Sequence, residues 1–173
     1  HAHNPYLLPS QVYLKDTRYK LEGASLNKLS ELKLPLIFQE YTEENLEHLT
    51  AFITLVIRQS REWFIKNIAP SHDNYKFTWY YHMGLPAENY ENKNMVFTFQ
   101  KILLAAIKLS KTQMKEISQE SIKRERVQIK PENYEEDKDY NCSKVVPEIQ
   151  AQLMGYANSD KYDPQKNRFM VVD

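Results

Sequence analysis

The chain has 173 residues, of which 42% are hydrophobic and 12% aromatic, so it can bury a substantial core in one domain. Its 23 basic and 23 acidic residues give a formal net charge of zero, which argues against general attraction to nucleic acid or an anionic membrane. The single cysteine, Cys142, excludes an internal disulfide and a cysteine-rich zinc site and fits a reducing compartment. No apolar run reaches the roughly 20 residues of a membrane span, so we expect a cytoplasmic protein.

Glycine is scarce, with only Gly23, Gly84 and Gly155 in the sequence. Phosphate-binding loops need clustered glycines so that backbone amides can approach the ligand closely. Neither the dinucleotide-binding pattern G-x-G-x-x-G nor the P-loop pattern G-x-x-x-x-G-K-[ST] is present. Complete nucleotide sites of these two types are therefore excluded from the chain.

The first predicted elements are short. Apolar residues alternate on both sides of a polar turn at 15–18, which predicts a β-hairpin over 9–21. Residues 24–36 carry leucines among lysines and serines, and they indicate a short helix or an irregular connection. The segment 36–41 is typical of a further short strand.

A long amphipathic helix is predicted to begin after Thr42. Threonine is a common N-cap residue, and Glu43 and Glu44 in the first turn suit the positive end of the helix dipole. Pro70 marks the end of the helix. The apolar positions that recur mostly at three- and four-residue steps are Leu46, Leu49, Ile53, Val56, Ile57, Phe64 and Ile68.

An aromatic segment and a second helix follow. Residues 75–83 are dense in aromatic side chains and have the length of a buried strand, with a turn at 84–86. Alternating aromatic residues could stack nucleic-acid bases, but this pattern is more often part of a core. A helix over about 91–117 carries a broad apolar face. That breadth predicts burial on two sides.

The last part of the chain starts with a charged stretch. Residues 118–140 predict a surface excursion, with an edge strand at 127–129. Asn141 or Ser143 is a suitable cap for a helix that ends near Gly155. The apolar residues of that predicted helix are Val146, Ile149 and Leu153.

Candidate catalytic and metal-binding side chains are few. His48, His72 and His82 lie in separate elements without the spacing of metal ligands, so no direct metal site is predicted. Cys142 lacks a cationic neighbour other than Lys144 and is more consistent with a structural thiol than with a nucleophile. The basic run at 123–126 is surrounded by glutamates, which favours a solvated face over a nucleic-acid site.

Four short segments occur in an informative order, namely Pro9-Ser10-Gln11-Val12, Gly23-Ala24, Tyr80 to Ala87, and Val146 to Ala151. Together they resemble the actin-like ATPase superfamily, which includes actin, sugar kinases and the seventy-kilodalton heat-shock chaperones. In that family a strand pair reads P-S-x-V followed by G-x-x-A, and the alanine here follows the glycine directly. The chaperone branch continues with a long helix, a strand that ends in a V-P-A-type turn, and a second helix.

The fourth segment departs from the family pattern. The family's connecting helix begins E-P-x-A-A-A, and its glutamate helps to arrange magnesium-bound waters. When the prolines are aligned, Val146 stands at the glutamate position, and Glu148 is the nearest carboxylate that could replace it. The simpler interpretation of Glu148 is a solvated acidic residue at a helix start.

The chain ends on Phe169-Met170-Val171-Val172-Asp173, which resembles the strand before the family's second phosphate loop, D-x-G-x-G-T. The resemblance implies that Asp173 is the metal-side acid and that both phosphate loops belong to a longer parent protein. It implies ATP and magnesium as cofactors of that parent, with Glu148 and Asp173 as candidate catalytic residues. Phosphoryl transfer depends on positioning and charge stabilisation, so we expect no ATP turnover by the chain alone.

These observations predict an α/β (α+β) fold with two long amphipathic helices packed on a mixed sheet. The resemblance implies that it is a fragment of an actin-like ATPase lobe. We expect a single domain over 4–173, since His1 to His3 resemble a tag. The expected partners are the rest of the parent chain and a protein at 118–140, with neither nucleic acid nor membrane.

The alternative is a stand-alone protein-interaction module without catalytic activity, in which the helices and the aromatic strand build the core and the charged stretch contacts a partner. A small independent enzyme is less consistent with the sequence, because no paired nucleophile and base can be identified.

Overall fold

The computed structural model describes residues 10–23, 27–71, 76–112, 116–130 and 138–157, and the description below covers these ranges. The fold is mixed α/β, as predicted. The strands are β1 (Gln11–Lys15), β2 (Arg18–Lys20), β3 (Asn27–Ser30), β4 (Tyr81–Leu85), β5 (Ile117–Ser118) and β6 (Ser143–Pro147). The helices are α1 (Leu34–Ile37), α2 (Glu43–Asn67), α3 (Ala87–Tyr90), α4 (Lys93–Ser110), α5 (Gln119–Gln128), α6 (Lys138–Asn141) and α7 (Glu148–Ala157), with a 3₁₀ turn at Ala69–Ser71.

Two sheets hold the described strands. One is antiparallel with the order β3-β1-β2-β5, and the other is the parallel pair β4-β6. The predicted hairpin is confirmed as β1 and β2, with Tyr13 opposite Lys20. Its turn residues Asp16 and Thr17 have φ values of 46° and 68°. Positive φ at both central residues is what a two-residue type I′ turn requires.

The connection between the hairpin and α2 differs from the prediction. Residues 27–30 form strand β3 against β1, not a helix or an irregular segment. The strand predicted at 36–41 is wrong, because α1 occupies Leu34–Ile37 with Pro35 in its first turn. Proline suits that position because its φ is already helical and its missing N–H is not needed. Positive φ values at Glu31 and Gln39 turn the chain on either side of this helix.

Helix α2 confirms the prediction of a long amphipathic helix. The Thr42 side chain accepts a hydrogen bond from the Asn45 backbone, and the Asn45 side chain accepts one from the Thr42 backbone. This reciprocal capping box satisfies amides that the first turn cannot pair. The helix packs along α4, and the core between the elements contains Val12, Tyr19, Leu36, Leu46, Leu49, Ala51, Leu85, Phe99, Ile102, Ile107, Ile117 and Ile122.

The aromatic segment before β4 is not core. Residues 76–80 have no regular structure, and the strand starts only at Tyr81. Phe77 and Trp79 pack edge-to-face on Phe64 near the C-terminal end of α2, with centroid distances of 4.9 and 5.2 Å. Phe77 is 38% exposed and Tyr80 68% exposed. The core interpretation is wrong for Phe77 and Trp79, which pack against an exposed helix end, but Tyr81 in β4 packs against the core.

Helix α4 confirms the expected burial on two sides, since every residue from Ile102 to Ile107 is buried. One side of the helix packs on α2 and α5, and another packs on β6 and β4. The helix ends at Ser110, earlier than predicted. Ile117 instead pairs with Tyr19 as part of β5 and is fully buried.

The predicted surface excursion is wrong for the described residues 118–130, which form helix α5 and its end. Ser118 and Ser121 cap the helix reciprocally, and its inner face packs on α2 and α4. Ile122 and Ile129 are buried. The edge strand predicted at 127–129 is wrong, because α5 extends to Gln128. A few apolar residues on one face outweigh the charges that dominate the composition. Residues 131–137 lie outside the described ranges.

The helix predicted from Asn141 or Ser143 begins five or more residues later. Ser143–Pro147 is strand β6, and α7 starts at Glu148. Val145 and Val146 have branched side chains that suit a strand packed against a helix, and both are buried. The predicted final strand with Asp173 lies outside the described ranges, as do His72 and the predicted tag.

Candidate functional site

The parallel pair β4-β6 presents both of its carboxyl ends on one side of the protein. Leu85 ends β4 opposite Pro147, the last residue of β6. A helix follows each strand almost immediately, α3 from Ala87 and α7 from Glu148. In open α/β sheets, ligands bind in the crevice outside the carboxyl ends of the strands. We call Lys33, Gly84, Asn89 and Glu148, which surround this edge, the carboxyl-end site.

Glu148, a candidate from the sequence, lies in this site. Its Oε1 atom accepts a hydrogen bond from Nζ of Lys33 at 3.0 Å, across 115 positions of sequence. The Glu148 side chain also packs over Gly84, where the Cβ atom of any larger residue would lie 3.5 Å from the Glu148 Cγ. That distance is an ordinary van der Waals contact, so Glu148 lies directly beside β4 at this position. Both members of the ion pair are partly exposed.

Helix α1 lies beside the same edge. Lys33 immediately precedes α1, and the Ile37 carbonyl near its other end accepts a hydrogen bond from the Asn89 side chain at 2.9 Å. Asn89 belongs to α3, and Glu148 belongs to α7. The connection that the sequence left undefined therefore ties together the two helices that follow the parallel strands.

The carboxyl-end site fits only part of a magnesium and ATP centre. It supplies one carboxylate and one ammonium group. Within the described ranges, no group of three or more His, Cys, Asp or Glu side chains is arranged to hold a metal ion. A lone carboxylate beside an ammonium group can orient the waters of a cation, but a protein site usually needs more ligands. Asp173, the second candidate, lies outside the described residues.

A groove of about 820 Å³ runs between α4 and β6. We call it the α4-β6 groove. Its lining combines two lysines, three aromatic rings and several amides, with no acidic side chain among the described residues. They are Tyr90, Lys93, Val96, Phe97, Gln100, Tyr140, Asn141, Ser143, Lys144, Val145, Val146 and Gln150.

Gln100 forms the base of this groove. Its side chain is buried, its Nε2 donates to the Ser143 hydroxyl at 3.0 Å, and its Oε1 accepts from the Val145 amide at 3.1 Å. The amide side chain thus pairs with β6 on the side away from β4, where a further strand would otherwise bond. This arrangement satisfies a buried amide and fixes α4 against the sheet.

A third cluster of polar groups lies between α2 and the antiparallel sheet. The His48 ring contacts Tyr19 edge-to-face at 5.8 Å, and its Nε2 lies 3.6 Å from the Glu44 carboxylate. Burial lowers the pKa of His48, although Glu44 and Glu47 act in the opposite direction. Burial likewise raises the pKa of Tyr19. The Tyr19 hydroxyl lies near Gln119 without a hydrogen bond of good geometry.

Two ion pairs attach α5 to α2 beside that cluster. Arg126 is 7% exposed and lies 3.0 Å from Glu43, and Lys123 lies 3.5 Å from the buried Glu47. These charges join the two helices. We interpret the cluster as structural.

The remaining sequence candidates are dispersed. His82 is exposed on β4, and Cys142 is half-buried just before β6. Sequence reasoning missed Lys33, Lys93 and Gln100. Only Gln100 carried a usable signal, because it is a polar residue among the apolar positions of a predicted buried helix.

No helix in the described part of the chain is long and apolar enough to cross a membrane. Comparisons of the chain with protein-family models, with curated proteins and with solved structures found no match.

Proposed function

We propose that the chain is part of a magnesium-dependent ATP-binding protein similar to the actin-like ATPases, and that the carboxyl-end site faces the nucleotide. The observation that carries this proposal is the position of Glu148. It is the first residue after β6, at the carboxyl end of a parallel strand pair, and Lys33 holds its carboxylate. Ligands of open α/β sheets bind at this end of the strands.

The local sequence supports the same proposal. Each strand of the pair ends at or just before a proline that precedes a helix, Pro86 before α3 and Pro147 before α7. The N-terminus of a helix is the positive end of its dipole. A helix that begins at this edge of the sheet therefore favours an anionic ligand there. Glu148 and Lys33 would then form one wall of the nucleotide site, while glycine-rich loops elsewhere in the parent protein contact the phosphates.

A magnesium ion bound in the parent protein would supply charge neutralisation for the phosphates. Glu148 would accept hydrogen bonds from water beside that ion, and Lys33 would keep the carboxylate in one orientation. Glu148 packs directly against Gly84 of β4. The described residues contain no loop that encloses phosphates, so the chain alone should not hydrolyse ATP.

The test is titration calorimetry with magnesium and ATP on the 173-residue chain and on the longer protein that contains it. We expect the longer protein to bind ATP and the 173-residue chain not to bind it. In the longer protein, Glu148→Gln should lower ATP turnover about tenfold or more. Glu40→Gln, an exposed position outside the site, is the matched control and should retain turnover. The proposal fails if the 173 residues are the whole protein, or if the longer protein does not bind the nucleotide.

A protein-interaction module is the second candidate, and the exposed end of α2 favours it. Trp63 is 46% exposed and directly precedes Phe64, on which Phe77 and Trp79 pack. Arg61 lies 5.4 Å from the Trp79 ring centroid. Aromatic and arginine side chains are enriched among the residues that dominate binding energy at interfaces. The test is chemical cross-linking of the chain to a protein partner. Trp63→Ser should remove these cross-links without unfolding the chain. Unchanged cross-links would exclude this surface as the interface.

A further inference from the structure

The α4-β6 groove carries a separate inference, which does not depend on nucleotide binding. Lys93 and Lys144 both line it and are exposed. Within the described ranges, neither lysine side chain forms an ion pair or a hydrogen bond. The described lining also contains no carboxylate. On a chain whose net charge is zero, this is a local surface that favours negative charge.

The two lysines are separated along the groove. Helix α4 starts beyond the carboxyl end of β4, and Gln100 on α4 contacts Ser143 and Val145. Lys144 therefore lies at the level of Gln100. Lys93 lies seven residues earlier on the helix, which is about 10 Å at the helical rise of about 1.5 Å per residue. An extended peptide covers about 13 Å in four residues, and its side chains at positions i, i+2 and i+4 lie on one face.

A peptide in the groove would be recognised through its side chains and would not add to β6 as a further strand. The Val145 amide already bonds to Gln100, so a peptide cannot pair with β6 at this point. Tyr90, Phe97 and Tyr140 line the space around the lysines and provide apolar surface for an anchor residue. Because exposed residues border the groove, it would cover one side of an extended segment rather than enclose a small molecule.

We propose that the α4-β6 groove binds an acidic peptide segment of a partner protein. The segment has two carboxylates four positions apart, for Lys93 and Lys144, with an aromatic or aliphatic residue midway between them for the apolar lining. Each exposed charge pair is expected to contribute only modestly, so the interaction should be reversible and sensitive to salt.

The test is fluorescence anisotropy with labelled pentapeptides on the full 173-residue chain, at about 0.15 M salt. The probes are Glu-Ala-Phe-Ala-Glu, its amide counterpart Gln-Ala-Phe-Ala-Gln and its basic counterpart Lys-Ala-Phe-Ala-Lys. We expect at least about tenfold tighter binding of the acidic peptide than of the amide peptide, and about threefold weaker binding with either K93A or K144A. The double variant K93E/K144E should prefer the basic peptide.

The matched control is K15E/K66E, which changes the net charge equally at two exposed lysines outside the groove. It should keep the preference for the acidic peptide. If both double variants lose affinity for the acidic peptide equally, the attraction is non-specific and the proposal is overturned. Equal binding of the acidic and amide peptides would also overturn it. Competitive displacement of the peptide by ATP would also overturn it, because the groove would then be a nucleotide site. Circular dichroism verifies that each variant is folded.

Discussion

Replacement of Gln100 by leucine tests how α4 is attached to the parallel strands. The substitution keeps a similar side-chain volume but removes both hydrogen bonds to β6, from the Val145 amide and to the Ser143 hydroxyl. The Ser143 hydroxyl can still donate to the Tyr140 carbonyl at 3.3 Å. The main loss is therefore the acceptor for the Val145 amide. A buried amide left without a partner costs about 1–3 kcal/mol.

We expect Gln100→Leu to lower the free energy of unfolding by about 2 kcal/mol, measured by urea denaturation with an unchanged m-value. Hydrogen exchange at the Val145 amide should accelerate more than exchange in the middle of α2, because the loss is local. The control is Gln150→Leu, an exposed position in the same groove, which should change stability by less than about 0.5 kcal/mol. A Gln100→Leu protein as stable as the unmodified chain, with Val145 still protected, would refute the reasoning.

Three further substitutions test the polar groups around α2 and α5. Tyr19→Phe should leave the urea midpoint unchanged or raise stability by up to about 1 kcal/mol, because the buried hydroxyl has no well-formed hydrogen bond; a clear loss would reveal a partner. His48 has a lowered pKa in the folded protein, so the unfolded chain binds more protons near and below the ordinary value of 6.5. The contribution of His48 to stability is complete above that pH and declines as the pH falls toward the folded-state pKa. His48→Gln should therefore flatten the dependence of stability on pH between about pH 5 and 8. An unchanged slope would contradict the assignment. Ser118→Ala removes one half of the α5 capping box and should cost about 1 kcal/mol in the same urea assay, whereas no change would mean that packing alone sets the helix start.

The local signals that succeeded are those whose partners lie within a few residues. Thr42, Glu43 and Glu44 predicted the start of α2, and the capping box with Asn45 shows why that prediction is correct. The hairpin followed from alternation around a short polar turn, with no information needed from distant residues. The broad apolar face of α4 likewise predicted burial on two sides.

The failures occurred where distant contacts outweigh local composition. The stretch after Ser118 is mostly charged, yet Ile122 is fully buried because α2 and α4 provide a surface for it. Val145 and Val146 appeared to belong to a helix, but pairing with β4 makes them part of a strand. The aromatic residues at 76–80 were expected in the core and lie instead against the exposed end of α2.

By itself the sequence determined the helices with complete local signals, the hairpin, the balance of charge and the absence of glycine-rich phosphate loops. The tertiary structure decided which residues form a site. Lys33 and Glu148 are 115 positions apart, and the α4-β6 groove combines residues from α3 to α7. Neither arrangement has a local pattern, because each depends on the parallel pairing of β4 with β6 and on the side of that pair that α4 covers.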